Sequence, residues 1–470
     1  MPDYDLIVIG SGPAGEKAAV KAAYFGKRVA LIERAAAYGG AGVHTGTLPS
    51  KTLKETALYF SGRYENGLYG LDKKFAHQAS IKDFLFRKNY IVSSENDEVL
   101  ANIIRHKVTI YHGSASFLSP TEVQIAGDEG NTVISGEYIL IATGSRPVHP
   151  PGIPFDGTRI HDSDSILELN RFPAILAIVG AGVIGCEYAT IFAAIGTKVF
   201  LINHTDKLLP FLDNQISASL QEQMQAAGIS FLTNCTVNNV KPGTTPGDMI
   251  ETELSTGQHI FTDMFLYTAG RAPATDTLQC ERAGVALGNR GLISVNHEYR
   301  TSQPNIFAAG DVIGFPSLAS VSMDQGRVAV SHMFGINDLP ELTPELPFGI
   351  YTIPEVSMIG KTEAQAAADG LLVCTGVSHY RNMPRGKIMG LKDGFLKLVF
   401  LRETTQIIGV HIIGQFASEL VHYGITLVHN KKTLHDLIEA VFNFPTLHDL
   451  YKYAAYDGLG NLSGHKIKEQ

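Results

Sequence analysis

Short apolar runs, each closed by a glycine or a polar residue, divide the first half of the chain. Leu6-Ile7-Val8-Ile9 is uninterrupted and reads as a strand buried on both faces. It meets Gly10-x-Gly12-x-x-Gly15, then an alanine-rich stretch of helical character. A second run, Val29-Ala30-Leu31-Ile32, ends on Glu33, 23 residues after Gly10. The order repeats between Ala174 and Asn203: Ala177-Ile178-Val179 meets Gly180-x-Gly182-x-x-Gly185, and Val199-Phe200-Leu201-Ile202 ends on Asn203, 23 residues after Gly180. Two similar βαβ units predict an α/β protein with two Rossmann-like domains.

Between them the pattern predicts a helical stretch from about Ser50 to Arg105, short strands near Val108 to Val133, and the strand Tyr138-Ile139-Leu140-Ile141 ending in Ala142-Thr143-Gly144. After about Glu341 the alternation changes. Phe395 to Phe400 and Ile407 to His411 read as strands, followed by helices reaching Leu462, which predicts a separate α+β domain and a polar, frayed tail from Gly464 to Gln470. The expected division is 1–150 for the first part of one dinucleotide-binding domain, 151–270 for the second such domain, 271–345 for the return to the first, and 346–470 for the α+β domain.

The three glycines of a fingerprint serve separate ends, namely a tight turn, close backbone approach to a pyrophosphate, and helix-on-strand packing. Glu33 stands where a carboxylate accepts ribose hydroxyls; the alternative is a solvated strand-end charge. Asn203 is its counterpart, with an amide able to accept from a hydroxyl or donate to a 2′-phosphate. His204 and Lys207 add positive charge there, or else belong to a solvated loop.

Composition narrows the class. The 470 residues include 47 glycines, more than the usual ~7%, and the net charge is −8 with no basic run, against nucleic-acid binding. The charge-free stretch Phe172 to Cys186 is too short for a membrane span, which needs roughly 20 residues. No export signal precedes Asp5, and four scattered cysteines fit a reducing cytoplasm rather than a disulfide framework. Cys186 reads as a small buried hydrophobe, and the seventeen histidines form no metal-ligand constellation.

The two fingerprints, Ala142-Thr143-Gly144, Thr268-Ala269-Gly270-Arg271 and Phe307-Ala308-Ala309-Gly310-Asp311 resemble the pyridine nucleotide-disulfide oxidoreductases over nearly the whole chain. The resemblance implies a glutathione reductase-like fold, FAD in the first unit, NAD or NADP in the second, Asp311 on the flavin's ribityl chain, and a C-terminal domain that forms a homodimer. It implies site residues Gly10, Gly12, Pro13, Ala14, Gly15, Glu33, Arg34, Gly40, Gly42, Thr47, Ser50, Lys51, Ala115, Thr143, Gly144, Gly180, Gly182, Val183, Ile184, Gly185, Glu187, Asn203, His204, Val237, Gly270, Arg271, Gly310, Asp311 and Ala319. Lys51 and Glu187 are the expected catalytic polar pair; otherwise Lys51 merely opens a solvated helix and Glu187 complements a helix N-terminus.

The departures bear on the reaction. Family disulfide reductases carry C-x4-C before Pro-Ser-Lys, and here Gly42 and Thr47 occupy those positions. Their His-Pro-Thr base is replaced by Phe444-Pro445-Thr446, with Asp449 in place of a glutamate. Gly46-Thr47-x-Pro49-Ser50-Lys51, Leu208 to Asp213, Gly314 to Ser320, Gly349 to Glu355 and Phe442 to Thr446 are similar to the soluble pyridine nucleotide transhydrogenases, whose members keep one cysteine at the Gly42 position and a tyrosine at the Phe444 position. Hydride exchange between NADPH and NAD through FAD is the expected activity. The alternatives are an NAD(P)H dehydrogenase reducing a quinone or dye, a dihydrolipoamide dehydrogenase-like flavoprotein that has lost disulfide chemistry, and a non-catalytic dinucleotide sensor.

Overall fold

The computed structural model describes residues 1–64, 68, 79–128, 130–243, 248–339 and 341–465. Its contacts group into two compact units: Met1–Thr52, Leu85–Pro150 and Gly270–Thr343 form one, and Leu53–Phe84, Pro151–Ala269 and Pro344–Gln470 the other.

In the first unit the strand Tyr4–Ile9 pairs in parallel with Val29–Glu33 on one side and with Gly130–Ile141 on the other. Thr109–His112 extends the sheet beyond Val29–Glu33, and Ile306–Ala308 adds a parallel strand beside Gly130–Ile141. The first strand is apolar at every position from Leu6 onward because both faces are covered. Leu6 and Val8 pack into the cluster containing Ala18 and Ala329, while Ile7 and Ile9 pack with Phe117 and Ile306. Ser114–Ser119 and Glu122–Gly127 continue the sheet as antiparallel strands. The helices Pro13–Tyr24 and Ala319–Phe334 cross closely; a Cβ on Gly326 would lie 2.3 Å from the Ala14 carbonyl oxygen.

The second unit holds a parallel sheet in the order Ser230–Leu232, Lys198–Ile202, Ile175–Val179, Met264–Tyr267, Ile160–Asp162. A three-stranded antiparallel sheet, Val237–Lys241, Ile250–Leu254 and His259–Thr262, packs its apolar residues into the same core as Ala177 and Phe265. The C-terminal part is a five-stranded antiparallel sheet, from Phe348–Ile350 at one edge to Val373–His379 at the other, with the helices Ala417–His429 and Asp449–Ser463. Its core includes Leu398, Phe400, Val410, Leu427 and Tyr451.

The predicted helical stretch from Ser50 to Arg105 is two helices, Thr47–Ser61 and Ile81–Arg105; the segment joining them falls largely outside the described residues. In the expected frayed tail, residues 466–470 lie outside the described residues. Among the described residues no helix is long and apolar enough to cross a membrane, and no group of three or more potential ligands is placed to hold a metal ion.

One buried charge ties the parallel sheet's domain to the C-terminal sheet. Lys397 and Asp213 are each 2% exposed, and the ammonium reaches both carboxylate oxygens, at 2.9 and 3.0 Å, and also meets Glu363. Burial pushes the Asp213 carboxyl up, but the Lys397 hydrogen bonds, the nearby His411 and Lys397 charges and the Gln215 N–H together outweigh it and hold it below the ordinary carboxylate range. A depressed folded-state pKa contributes stability that is complete above the unfolded value, ~4, and is lost as pH falls through the folded one. Asp213→Asn leaves the buried ammonium with only the half-exposed Glu363 as a carboxylate partner, so unfolding in urea at neutral pH should show a loss of about 1.5–3 kcal/mol, the worth of a hydrogen bond to a charged group. The difference from wild type should shrink in acid.

Candidate functional site

The two fingerprint turns have the same steric design. A Cβ on Gly15 would lie 1.9 Å from the Gly10 carbonyl oxygen, and one on Gly185 would lie 1.8 Å from that of Gly180. Each helix therefore rests on its strand end backbone to backbone, an approach only glycine permits. The middle glycines differ. Gly182 has nothing within 4 Å of a built Cβ, and Gly12 meets only Gly40 Cα, at 4.0 Å. Both helices, Pro13–Tyr24 and Val183–Ala194, start from an extended glycine, so their first N–H groups face outward as an anion site. Pro13, at the first turn, gives up an N–H that has no intrahelical partner anyway.

In the first unit the segment around Gly39 closes over the turn. Gly39 N–H donates to the Ser11 carbonyl and hydroxyl oxygens, each at 3.2 Å, and a Cβ on Gly40 would lie 2.8 Å from Gly12 Cα. Glu33 is 8% exposed, so it is no solvated strand end. Its Oε2 accepts from Ser11 N–H at 2.9 Å and Ser11 Oγ at 2.7 Å, and its Oε1 from Ala35 N–H at 2.8 Å. Arg34 is exposed, whereas Ala14 and Ala115 are buried. Ser145 Oγ accepts from Arg271 Nε at 2.9 Å and donates to Asp311 Oδ2 at 2.7 Å, linking those two expected site residues. Gly310 N–H donates to Gln325 Oε1 at 2.8 Å, and Ala319 opens its helix. Thr143 Oγ1 is buried without a hydrogen-bond partner among the described residues, and a Cβ on neighbouring Gly144 would meet open space. An orphaned hydroxyl and room for a phosphate fit a dinucleotide here.

Thr47 begins the helix Thr47–Ser61, and Ser50, 4% exposed, donates to Gly46 O at 3.0 Å. Lys51 is partly buried inside that helix rather than at its start, and its Nζ lies 3.3 Å from Ser50 Oγ. Gly42 packs on Pro13: a Cβ there would lie 2.8 Å from Pro13 Cγ, tighter than side chains tolerate without movement. Burial raises the Cys186 thiol strongly, raises Cys235, and pushes Cys280 to about 11. None of these three supplies a thiolate at neutral pH. Phe444 is 73% exposed, and Thr446 Oγ1 and Asp449 Oδ2 are buried without hydrogen-bond partners among the described residues.

In the second unit Asn203, 8% exposed, repeats the Glu33 contact: Oδ1 accepts from Ala181 N–H at 3.3 Å, inside the glycine turn. Its Nδ2 donates to Thr205 Oγ1 at 2.9 Å and to the Thr205 and Lys207 carbonyls at 3.2 and 3.1 Å. The amide donors thus shape their own loop, which leaves His204 and Lys207 exposed. Val183 and Ile184 are both half-buried in the first turn of the helix, Val237 opens a strand further along, and Gly270 lies in the first unit just before the strand Arg271–Pro273. Glu187, 3% exposed, is held within its helix: Oε1 accepts from Tyr351 N–H at 2.9 Å. One turn on, Thr190 Oγ1 accepts from Ile353 N–H at 3.1 Å. Sequence reasoning missed Tyr351 as the partner of this carboxylate, and the pairing of Lys54 with Glu355 further along the same segment. The run Gly349 to Glu355 was legible only as a family pattern, and Lys54 only as one more helical lysine.

Two βαβ units with open glycine turns, a buried acidic strand end and an aspartate after a glycine define a two-dinucleotide oxidoreductase. Comparison with known proteins gives it a family. A model described as pyridine nucleotide-disulphide oxidoreductase matches residues 4–326, and its dimerisation domain matches 346–455. The chain is 40% identical over 464 residues to a soluble pyridine nucleotide transhydrogenase of Mycobacterium tuberculosis, covering 98% of each. It is 40% identical to one of Erwinia tasmaniensis, covering 98% of this chain and 99% of that one. Among solved structures, LpdA from Mycobacterium tuberculosis superposes with a TM-score of 0.88 at 26% identity, covering 96% of this chain and 99% of that one. The HOCl-induced flavoprotein disulfide reductase RclA from Escherichia coli gives 0.84 at 27%, covering 95% and 99%.

The chain belongs to the pyridine nucleotide-disulphide oxidoreductase family. It has the glutathione reductase-like fold, is an oxidoreductase that uses FAD and nicotinamide dinucleotides, and carries the family's dimerisation domain, so it works as a homodimer.

The glycine geometry separates folding from binding. Gly182→Ala adds a methyl to open space and should leave urea stability within about 1 kcal/mol of wild type while weakening nicotinamide binding. Gly185→Ala forces helix from strand and should abolish the folded holoprotein. Equal stability for the two variants would contradict the packing.

Proposed function

We propose that this protein is a soluble NAD(P) transhydrogenase that moves a hydride between NADPH and NAD by way of FAD, without a redox-active disulfide. The observation that carries the reading is the pairing of two intact fingerprint sites with glycine and threonine at positions 42 and 47, where the family's disulfide reductases hold their dithiol. The transhydrogenase relatives support it at 40% identity over nearly the whole chain. We assign FAD to the first fingerprint, with Glu33 on its ribose and Asp311 on its ribityl chain, and nicotinamide nucleotides to the second. The domain limits we propose are 1–150 and 271–345 for FAD, 151–270 for nicotinamide and 346–470 for dimerisation. The cytoplasm, where both nicotinamides are at hand, is its proposed location.

FAD, when bound, supplies the site that accepts and returns the hydride. The chain's own residues do the rest. The helix N-termini after Gly12 and Gly182 hold the pyrophosphates by N–H donation. Uncharged Asn203 repels neither a 2′-phosphate nor a free hydroxyl. Lys51 and Glu187 are assigned as the polar residues that serve the flavin, tuning it by charge.

With no dithiol, electrons can leave only through the nicotinamide site or to a diffusible acceptor, and a second nicotinamide is the simplest acceptor. NADP therefore departs before NAD enters, and initial rates with NADPH and a thio-analogue of NAD should give parallel double-reciprocal lines. Rapid passage of electrons to a quinone, with none to NAD or its analogue, would replace this reading with an NAD(P)H dehydrogenase. Alkylation of accessible thiols should spare the half-reaction with NADPH. Asn203→Glu should weaken NADPH far more than NADH in equilibrium titrations, because only NADPH brings a 2′-phosphate against the new charge.

A further inference from the structure

The second unit contains a buried ion pair that the hydride reading leaves unused. Lys54 is 4% exposed and Glu355 6%, and Lys54 Nζ meets Glu355 Oε1. The ammonium also reaches Glu55 Oε1 at 2.9 Å. Glu355 Oε2 accepts from Ser418 N–H at 3.1 Å and from Ser418 Oγ at 2.7 Å, at the start of the helix Ala417–His429. Its main-chain carbonyl accepts from Gly414 N–H at 2.9 Å. Glu355 is thereby fixed at both its side chain and its backbone. Burial works against the Lys54 charge, but Glu355 and Glu55 together outweigh it and leave the ammonium pKa raised.

This fixed point governs the segment that holds Glu187. Lys54 Nζ stands 5.8 Å from the centroid of the Tyr351 ring, and Tyr351 N–H is the donor to Glu187 Oε1. Ile353 N–H, two residues on, ties to Thr190 on the same helix as Glu187. Five residues, from Tyr351 to Glu355, thus contact the helix Val183–Ala194 at one end and the lysine at the other. A buried ion pair is a poor route to stability, since desolvation offsets most of its attraction. What it does well is fix geometry, because both charges must keep their partners.

We propose that the Lys54–Glu355 pair, with Ser418, is the positioning device for Glu187: it fixes Tyr351, whose N–H holds the Glu187 carboxylate in the orientation hydride transfer uses. The proposal rests on the reading of Glu187 as a residue that serves the flavin. Lys54 touches no reacting atom and acts through Tyr351.

The test uses FAD-loaded Lys54→Met, Lys54→Arg and Glu187→Gln enzymes. Stopped-flow gives the limiting rate of flavin reduction by NADPH and its dissociation constant, and amide hydrogen exchange gives the protection of Tyr351. Lys54→Met should slow reduction about tenfold, the worth of one hydrogen bond to a charged group, with the dissociation constant within about twofold. Tyr351 N–H should exchange about tenfold faster, since its segment is no longer pinned through Glu355 and opens more often. Lys54→Arg should restore both. Should Lys54→Met fail to fold, Ser418→Ala, which keeps the ion pair, should move rate and exchange the same way by a smaller factor. If Glu187→Gln is slow but Lys54→Met, or Ser418→Ala in its place, matches wild type in rate or in exchange, the proposal falls and the flavin reading of Glu187 stands. Failure of Lys54→Arg to restore them likewise overturns it. A Glu187→Gln enzyme at wild-type rate removes the reading and the proposal together.

Discussion

Backbone pressed against backbone is the constraint from which the sites follow. The Gly15 and Gly185 positions admit no Cβ, because the carbonyl oxygens of Gly10 and Gly180 stand 1.9 and 1.8 Å from where it would be. That contact sets each helix directly on the end of its strand, with its unsatisfied N–H groups aimed past the turn. Open space at Gly12 and Gly182 then becomes room for a phosphate rather than a packing defect. Any side chain at the third glycine pushes the helix away and dissolves the anion site with it.

The two units solve one secondary problem with different chemistry. In each, the polar residue ending the second strand captures an N–H inside the glycine turn: Glu33 takes Ser11, and Asn203 takes Ala181. A carboxylate in the first unit accepts three hydrogen bonds at 2.9 Å or less. The amide in the second accepts one and spends its donors on Thr205 and Lys207. The neutral residue keeps the turn's geometry without adding a negative charge beside the nucleotide. That combination suits a site visited in turn by two dinucleotides that differ by a phosphate.

The chemistry of the family is altered by what surrounds the turn. Gly42 lies so close to Pro13 that a cysteine side chain needs the ring to move, and the three cysteines with raised pKa are thiols in apolar surroundings. Phe444 is an exposed apolar ring that can neither accept nor donate a proton. These features favour the proposed exchange of hydride between nicotinamides and flavin.

The sequence by itself determined the βαβ units, the fingerprint glycines and the change of character near Glu341, because hydrophobic period and glycine sterics act over a few residues. It also determined that no dithiol precedes Pro49-Ser50-Lys51. It did not separate the helices Thr47–Ser61 and Ile81–Arg105, and it left Glu33 open between ribose ligand and solvated charge. Burial of Glu33 is a property of the packed sheet, not of its neighbours in the chain. The return of 271–345 to the first domain is expected from the sequence, but only the tertiary structure decided that Ile306–Ala308 pairs with Gly130–Ile141 and that Asn203 turns its donors inward. Only the tertiary structure paired Lys54 with Glu355, 301 residues away. Contacts at such separation leave no local period to read; they exist because folding closes the loop between them and removes both charges from water.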